Sequence, residues 1–188
     1  MNATEAAQAI SERFKDAVSV APEFRGESTV VAELDSLHPV MKFCREELDF
    51  NYLIDICSVD NMGEDPRFEV IYELYSLTTH VHLRIKSMVA EDVREVVTVS
   101  DIWPTADWHE REVYDMMGIE FKGHGDLRRI LMWEGYPFFP LRKDFPLAGK
   151  PSEMPDVAFT SKAPLEGGPF VTSAGAPDTA AREPRARD

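Results

Sequence analysis

Residues 108–147 read WHEREVYDMMGIEFKGHGDLRRILMWEGYPFFPLRKDFPL, and most predictions about this chain start from this stretch. It opens with a short helix, which Thr105 or Asp107 can cap and which Gly118 is placed to end. At 100° per residue the apolar side chains share one side of the helix: Val113, Tyr114, Met116 and Met117. The opposite side carries Trp108, Arg111, Glu112 and Asp115.

Glu110 falls within the apolar arc of this predicted helix. A carboxylate in such a position usually has a partner, and Arg128 and Arg129 follow shortly in the sequence. A solvated helix face beside arginines is the simpler interpretation. The density of aromatic residues, prolines and arginines favours an interface instead. We therefore expect a charge network that shapes the stretch for docking: Glu110, Arg111, Glu112, Asp115, Arg128 and Arg129.

Several blocks of this stretch resemble the signature of one family. They are EREVYDMMGI at 110–119, Gly123-His124, DLRRIL at 126–131 and PLRKDFPL at 140–147, with SDIWP at 100–104 upstream. The family is that of the 30 kDa subunit, designated C, of NADH–quinone oxidoreductase, respiratory complex I. One position departs from its pattern, because Gly125 replaces the proline that the family usually carries there.

The resemblance implies a structural subunit without catalytic residues or cofactors of its own. Members of the family sit in the peripheral arm of complex I, on the cytoplasmic side of the inner membrane in bacteria. FMN and iron–sulfur clusters in partner subunits pass electrons from NADH to quinone, coupled to proton translocation. The family packs on the large subunit designated D, which helps form the quinone site, and lies near subunits B and I.

From the resemblance and the docking interpretation we expect a partner interface and no catalytic, cofactor-binding or metal-binding residue. The expected interface residues are Trp108, Glu110, Arg111, Glu112, Asp115, His124, Arg128, Arg129, Leu131, Arg142, Lys143, Asp144, Phe145 and Pro146. Two alternatives stay open. One is the equivalent subunit, called J, of a related NADH dehydrogenase-like complex, or that of a membrane-bound hydrogenase. The other is a free-standing enzyme that uses Glu110, Glu112 and Asp115 for acid–base chemistry.

The composition narrows the possible functions. Among 188 residues, 34 are acidic and 20 are basic, and a formal net charge of −14 disfavours a general nucleic-acid binder. No apolar run approaches the ~20 residues of a membrane helix. The N-terminus has neither the basic region nor the apolar region of a signal peptide, so we expect an intracellular protein.

Hydrophobic periodicity along the chain predicts an α+β fold, in which an antiparallel or mixed sheet is covered by helices. The predicted helices are 4–18, 36–48 with Ser36 as its cap, and 91–97. The predicted strands are 28–34, 51–59, 67–75 and 79–86. In the third of these, we expect Phe68, Val70, Tyr72 and Leu74 to share a face, and in the second Tyr52, Ile54 and Ile56. In the last, Val81, Leu83 and Ile85 should be buried and His82 and Arg84 more exposed.

Catalytic and metal-binding motifs are missing from the sequence. His109-Glu110 begins like the zinc motif H-E-x-x-H, but Val113 occupies the position of the second histidine. His80 and His82 fall on one predicted strand face without a third ligand nearby. Cys44 and Cys57 are expected to be buried thiols rather than a disulfide.

The composition changes near the end of the chain. We expect residues 1–149 to form the globular domain, with the docking signature at 100–147. Residues 150–188 are rich in Pro, Gly, Ala, Ser and Thr, and cannot form a core of their own. They predict an extended C-terminal arm that is either bound to a partner or disordered.

Overall fold

A computed structural model describes residues 1–146, and Met1–Arg142 form one compact unit. The α-helices of this unit are α1 (Ala3–Phe14), α2 (Leu34–Glu46) and α3 (Ala106–Met117), and a short 3-10 helix follows α1 at Lys15–Ala17. Its strands are β1 (Val18–Val20), β2 (Thr29–Ala32), β3 (Tyr52–Asp60), β4 (Phe68–Ser76), β5 (Val81–Val89), β6 (Glu95–Val97) and β7 (Glu120–Lys122). The predicted boundary at 149 and the predicted arm at 150–188 lie outside the described residues.

The strands form two sheets. The larger has the order β1-β2-β5-β4-β3, in which β2 and β5 are parallel and the other pairs are antiparallel. The smaller pairs β6 with β7 in parallel. The predicted α+β class with a mixed sheet is therefore confirmed.

The hydrophobic core contains one face of the larger sheet together with buried residues of all three helices. Along β4 the side chains alternate as predicted, and every second one is fully buried: Phe68, Val70, Tyr72 and Leu74. On β5, Leu83 and Ile85 are buried as expected and Val81 is half-buried. The opposite face is polar, because His82 and Arg84 both pair with the carboxylate of Glu73 there.

The prediction that Tyr52, Ile54 and Ile56 share a face of β3 is wrong. Leu53 and Ile56 are buried, whereas Tyr52 and Ile54 are exposed. The reason is a β-bulge: Leu53 pairs with Leu74 and Asp55 with Glu73, which leaves Ile54 as an extra residue. Simple alternation therefore loses its phase at that point.

The helix predicted at 91–97 is also wrong, because Glu95–Val97 is strand β6. Arg94 has a positive φ of 51°, which interrupts any helix, and Val96 is buried opposite Phe121 of β7. Pairing with a strand more than twenty residues away overrides the local helical pattern.

The first two helices have different ends from those predicted. The first ends at Phe14, so Val18 begins β1 instead of continuing the helix. The second starts at Leu34, with Glu33 in the cap position and Pro39 inside the helix, so Ser36 is not its cap.

The two cysteines are free thiols. Cys44 is buried, which raises its pKa to about 12, and Cys57 is half-buried. His80 lies in the turn before β5, where its ring contacts the Tyr75 hydroxyl, so it does not share a strand face with His82. Within residues 1–146, every helix is too short or too polar to cross a membrane.

The bulge in β3 leads to a test with two isoleucines of the same strand. Ile56→Ala should lower the free energy of unfolding by about 2–5 kcal/mol, because it leaves a cavity in the core. Ile54→Ala should cost less than about 1 kcal/mol, because Ile54 is 40% exposed. Urea unfolding of the full chain measures both changes. Equal losses for the two variants would show that the strand has no bulge at this position.

Candidate functional site

Helix α3 ends sharply at a glycine. Gly118 adopts the left-handed conformation, with φ 70°, and its N–H donates to the carbonyl of Tyr114 at 2.8 Å. A Cβ at this position would lie 2.5 Å from the Arg142 guanidinium and 2.6 Å from the Phe139 ring. The glycine therefore lets the returning chain pack against the end of the helix. At the other end, Thr105 holds the cap position without a side-chain cap bond, and Asp107 lies inside the helix.

Asp115 organises the chain that follows β7. Its carboxylate is fully buried and accepts three consecutive backbone N–H groups, from Ile130 at 3.0 Å, Leu131 at 2.7 Å and Met132 at 2.8 Å. The same carboxylate forms an ion pair with Arg129. Three amides and one guanidinium therefore converge on a single side chain of α3.

The surroundings of Asp115 keep it ionised. Burial alone raises the pKa of its carboxyl, but the amide of Met132, the guanidinium of Arg129 and the neighbouring amides act in the opposite direction. The pKa consequently lies below its ordinary value. A buried charge of this kind is stable only while its partners stay in place.

Three arginines donate to backbone carbonyls around the end of α3. Arg111 donates to the carbonyls of residues 128 and 129, at 3.1 and 3.2 Å. Arg129 donates to those of Asp115 and Phe138, at 2.9 and 3.1 Å. Arg142 donates to that of Met117 at 2.6 Å. Residues 123–142 contain no helix or strand, so many of their carbonyls lack a ladder partner, and the guanidinium groups supply donors to those of residues 128, 129 and 138. The carbonyls of Asp115 and Met117 belong to the last turns of α3.

Aromatic rings pack around two of these guanidinium groups. The guanidinium of Arg129 lies 5.1 Å from the ring centre of Phe139, and that of Arg142, which donates to the Met117 carbonyl, lies 4.4 Å from the same ring centre. Tyr136 contacts Trp133 with its ring centre 4.5 Å away and adds a further face against Arg129. The aromatic and arginine side chains of this stretch therefore pack against one another within this chain.

Glu110 is buried as its position in the apolar arc implies, but its partners are not arginines. One carboxylate oxygen accepts the Thr98 hydroxyl, and the other accepts the Val99 N–H at 2.7 Å. The ring of His124, itself fully buried, lies 3.9 Å away. Burial raises the pKa of Glu110, while Thr98, Val99 and His124 oppose the rise without cancelling it. Glu110 therefore ties α3 to the connection after β6.

The predicted charge network of six residues divides into separate parts, so that prediction is wrong as a single network. Among these six, all of which the structure describes, only Asp115 and Arg129 form a buried ion pair with each other. Arg128 is exposed and pairs with Asp126 at 2.9 Å. Glu112 is exposed and has no ion pair within residues 1–146. The reason is burial: the Arg129 side chain is 12% exposed and reaches the buried Asp115, whereas that of Arg128 is 70% exposed.

The predicted interface residues divide by burial. Glu110, Arg111 and Asp115 are buried within this chain, as is the ring of His124, and Arg129 and Arg142 are half-buried. The exposed members are Trp108, Glu112, Arg128, Leu131, Lys143, Asp144 and Pro146, and Phe145 is half-buried. Leu131 is 60% exposed and the nearby Leu141 56% exposed, so apolar side chains of this stretch face solvent.

Other contributors were missed by reasoning from the sequence. Thr98 and Val99 hold Glu110, although nothing in their sequence marks a carboxylate ligand. Gly118 was identified as the end of the helix, but its close packing against Phe139 was not foreseen. Within residues 1–146, no group of three or more His, Cys, Asp or Glu side chains is arranged to hold a metal ion. The absence of a cofactor remains a prediction.

Comparison with known proteins identifies relatives over most of the chain. Residues 30–151 match the family model described as respiratory-chain NADH dehydrogenase, 30 Kd subunit. The NADH-quinone oxidoreductase subunit designated C of Geotalea uraniireducens (strain Rf4) is 46% identical over 144 residues, covering 77% of this chain and 88% of that protein. The subunit of the same name from Geobacter sulfurreducens is 42% identical over 145 residues, covering 77% and 90%.

Two solved structures share the fold. The trypsin-resistant fragment (1–134) of Nqo5 has a TM-score of 0.58 and 30% identity, covering 64% of this chain and 97% of the fragment. A chain of the membrane-bound sulfane sulfur reductase, an archaeal respiratory membrane complex, has a TM-score of 0.66 and covers 77% of this chain and 85% of its own length. At 22% identity, the second likeness shows the fold alone.

The Asp115 site predicts a large loss of stability from a small change. Asp115→Asn removes the charge that holds Arg129 and replaces one acceptor oxygen by an amide donor, so the unfolding free energy should fall by about 3–5 kcal/mol. Glu112→Gln on the same helix is the matched control and should stay within about 0.5 kcal/mol. Urea unfolding at neutral pH measures both. A loss below about 1 kcal/mol for Asp115→Asn would refute the role given to this carboxylate.

The raised pKa of Glu110 predicts a pH dependence. Because the folded chain holds the Glu110 proton more tightly than the unfolded chain, the contribution of Glu110 to stability should fall as pH rises from its unfolded pKa, about 4.3, through its folded pKa. Glu110→Gln removes this term, so its stability relative to the parent chain should increase with pH across that window. Unfolding between about pH 4 and 7 tests this. A difference between the two chains that does not change with pH would contradict it.

Proposed function

This chain belongs to the family of the 30 kDa subunit of respiratory-chain NADH dehydrogenase, and from that premise we propose that it is a non-catalytic subunit of NADH–quinone oxidoreductase that docks on the quinone-site subunit, designated D. In this proposal the chain lies in the peripheral arm on the cytoplasmic side of the inner membrane, near subunits B and I. Electrons pass from NADH through FMN and iron–sulfur clusters of partner subunits to quinone, coupled to proton translocation, and this chain completes the arm.

One observation carries the structural role. The ionic groups at the end of α3 bind their own backbone, while Leu131 and Leu141 on the same stretch face solvent. Internal bonds of this kind fix the shape of an irregular segment before it meets a partner. A preformed surface loses less conformational freedom on binding, and exposed apolar groups on it can then contribute to affinity.

The free-standing enzyme is the weaker alternative. Of its three proposed acid–base groups, Glu110 and Asp115 are fully buried, and each is occupied by hydrogen bonds from its own chain. Only Glu112 can reach a substrate in solution, and a single exposed carboxylate does not make an acid–base pair. Turnover by the isolated chain would favour this alternative.

The related-complex alternatives predict the same kind of subunit in a different assembly. The relatives that carry the name NADH-quinone oxidoreductase support complex I over the J-type subunit of an NADH dehydrogenase-like complex or the equivalent hydrogenase subunit. Co-purification of an NADH-binding flavoprotein with this chain would support complex I, and its absence would favour one of the related complexes.

The docking proposal predicts an assembly defect without a catalytic defect. Leu131→Asp places a charge on the proposed interface, so it should reduce the amount of assembled complex in membranes about tenfold or more, since burying an unpaired charge costs several kcal/mol. NADH–quinone turnover per intact complex should be unchanged. The measurements are native gel quantification and activity of the purified complex.

The control for this experiment is Met62→Asp. Met62 and Leu131 are both 60% exposed, but Met62 lies in the loop between β3 and β4. Its substitution should leave assembly near the level of the parent chain. Full assembly of Leu131→Asp with lost turnover would place this stretch in the chemistry of the complex and would refute a purely structural role.

A further inference from the structure

Trp108 and Glu112 stand one turn apart on the solvent side of α3. The indole of Trp108 is 61% exposed, the most exposed large aromatic side chain of α3, and Glu112 is exposed as well. Residues four apart on a helix are neighbours on its surface. The two side chains therefore present an aromatic face and a carboxylate side by side.

The inner face of the indole already carries a guanidinium. The Arg111 side chain lies 5.2 Å from the ring centre of Trp108, and its bonds to the carbonyls of Arg128 and Arg129 keep it there. Arg111 is only 9% exposed, so it lies beneath the ring rather than over it. This arrangement holds the indole in place and leaves its outer face open to solvent.

Within residues 1–146, the charged groups around this pair form ion pairs, but Glu112 does not. Asp107 lies 3.3 Å from the His124 ring, and His109 lies 2.9 Å from Asp55 on β3. Arg128 pairs with Asp126, whereas Glu112 makes no ion pair among the described residues up to 146. In the part of the chain that the structure describes, the Glu112 carboxylate thus has no counter-charge, and the formal net charge of the whole chain is −14.

This combination is complementary to a cation, and specifically to a planar one. An indole face attracts a cation through its quadrupole, and a guanidinium can stack on the ring while its fork of N–H groups reaches an adjacent carboxylate. A lysine ammonium can contact the indole face or pair with the carboxylate, but it lacks the planar fork of N–H groups that serves both at once. An apolar occupant would use the indole and leave the Glu112 carboxylate desolvated.

We propose that Trp108 and Glu112 together bind an arginine side chain of a partner subunit, an inference that rests on the proposed docking function. The partner's guanidinium lies on the outer face of the indole, on the side opposite Arg111, and donates to the Glu112 carboxylate. The cation–π contact and the ion pair then share one ligand. This gives α3 a polar, orientation-specific contact beside the apolar contacts of Leu131 and Leu141.

The experiment is a competition for assembly in the native host. Cells produce an untagged parent chain together with a second copy carrying a mass label and the substitution, and the complex is purified through another subunit. Mass spectrometry gives the ratio of the two copies in the complex. Trp108→Leu and Glu112→Gln should each be outcompeted about tenfold. Trp108→Leu keeps an apolar side chain but loses the aromatic face.

A double variant tests whether the two residues share one ligand. If both bind the same guanidinium, the double variant should be outcompeted about as strongly as either single variant, and not about a hundredfold as for independent sites. Glu120→Gln, an exposed carboxylate on β7, is the control and should be incorporated equally with the parent chain. Unfolding of each chain by urea shows that folding is unchanged.

The outcomes separate this inference from the function on which it rests. A labelled copy without any substitution serves as the reference. If it never co-purifies with other subunits, the proposed function itself is overturned. Normal co-purification with equal incorporation of Trp108→Leu and Glu112→Gln would overturn only the arginine site. An effect of Trp108→Ala that Trp108→Leu does not share would indicate an apolar partner and would also overturn it.

Discussion

The shape of the irregular region, residues 123–142, depends on hydrogen bonds to the carboxylate of Asp115. This carboxylate accepts three successive amides and a guanidinium, and it does so from the interior of a helix whose own backbone is fixed. Residues 123–142 have neither a helix nor a strand to satisfy their backbone groups. The buried carboxylate of Asp115 thus accepts from backbone N–H groups that have no strand or helix partner. Arginine side chains in turn donate to backbone carbonyls of the same segment. The arrangement is stable because each buried charge has several partners, which offsets the cost of removing it from water.

The burial of these charges explains how one short stretch can serve both the core and the surface. Glu110 and Asp115 point inward and connect α3 to the chain before and after it, through Val99 on one side and Leu131 on the other. Other side chains of the same stretch face solvent: Trp108 precedes Glu110 on α3, and Leu131 binds Asp115 only through its backbone N–H. In the proposed docking, a surface held in this way has its shape before the partner binds, so less of the interaction energy is lost to ordering.

Much of the fold follows from the sequence where one local rule applies along a whole element. Strand β4 alternates without interruption, and its inward apolar side chains were identified, whereas the buried Ser76 lies one residue beyond the predicted end. The rule fails at Ile54, because a bulge changes the phase of β3, and at Glu95–Val97, because pairing with β7 is a distant contact. At the site, the sequence indicates that Glu110 is buried. It does not indicate that the Thr98 hydroxyl donates to its carboxylate, since nothing distinguishes a threonine twelve residues earlier from other threonines. The hydrogen bonds from arginines to backbone carbonyls could not be predicted either, because every residue has a carbonyl and the sequence does not show which one accepts.

If Asp115 shapes residues 123–142 within the free chain, before any partner binds, the amides that donate to it should be protected there. The test is amide hydrogen exchange of Ile130, Leu131 and Met132 in the isolated full-length chain. Their N–H groups bind the buried carboxylate, so they should exchange much more slowly than the amides of exposed turns, such as that of Gly125. Exchange of all three at the rate of an unstructured chain would show instead that residues 123–142 acquire their shape only on assembly.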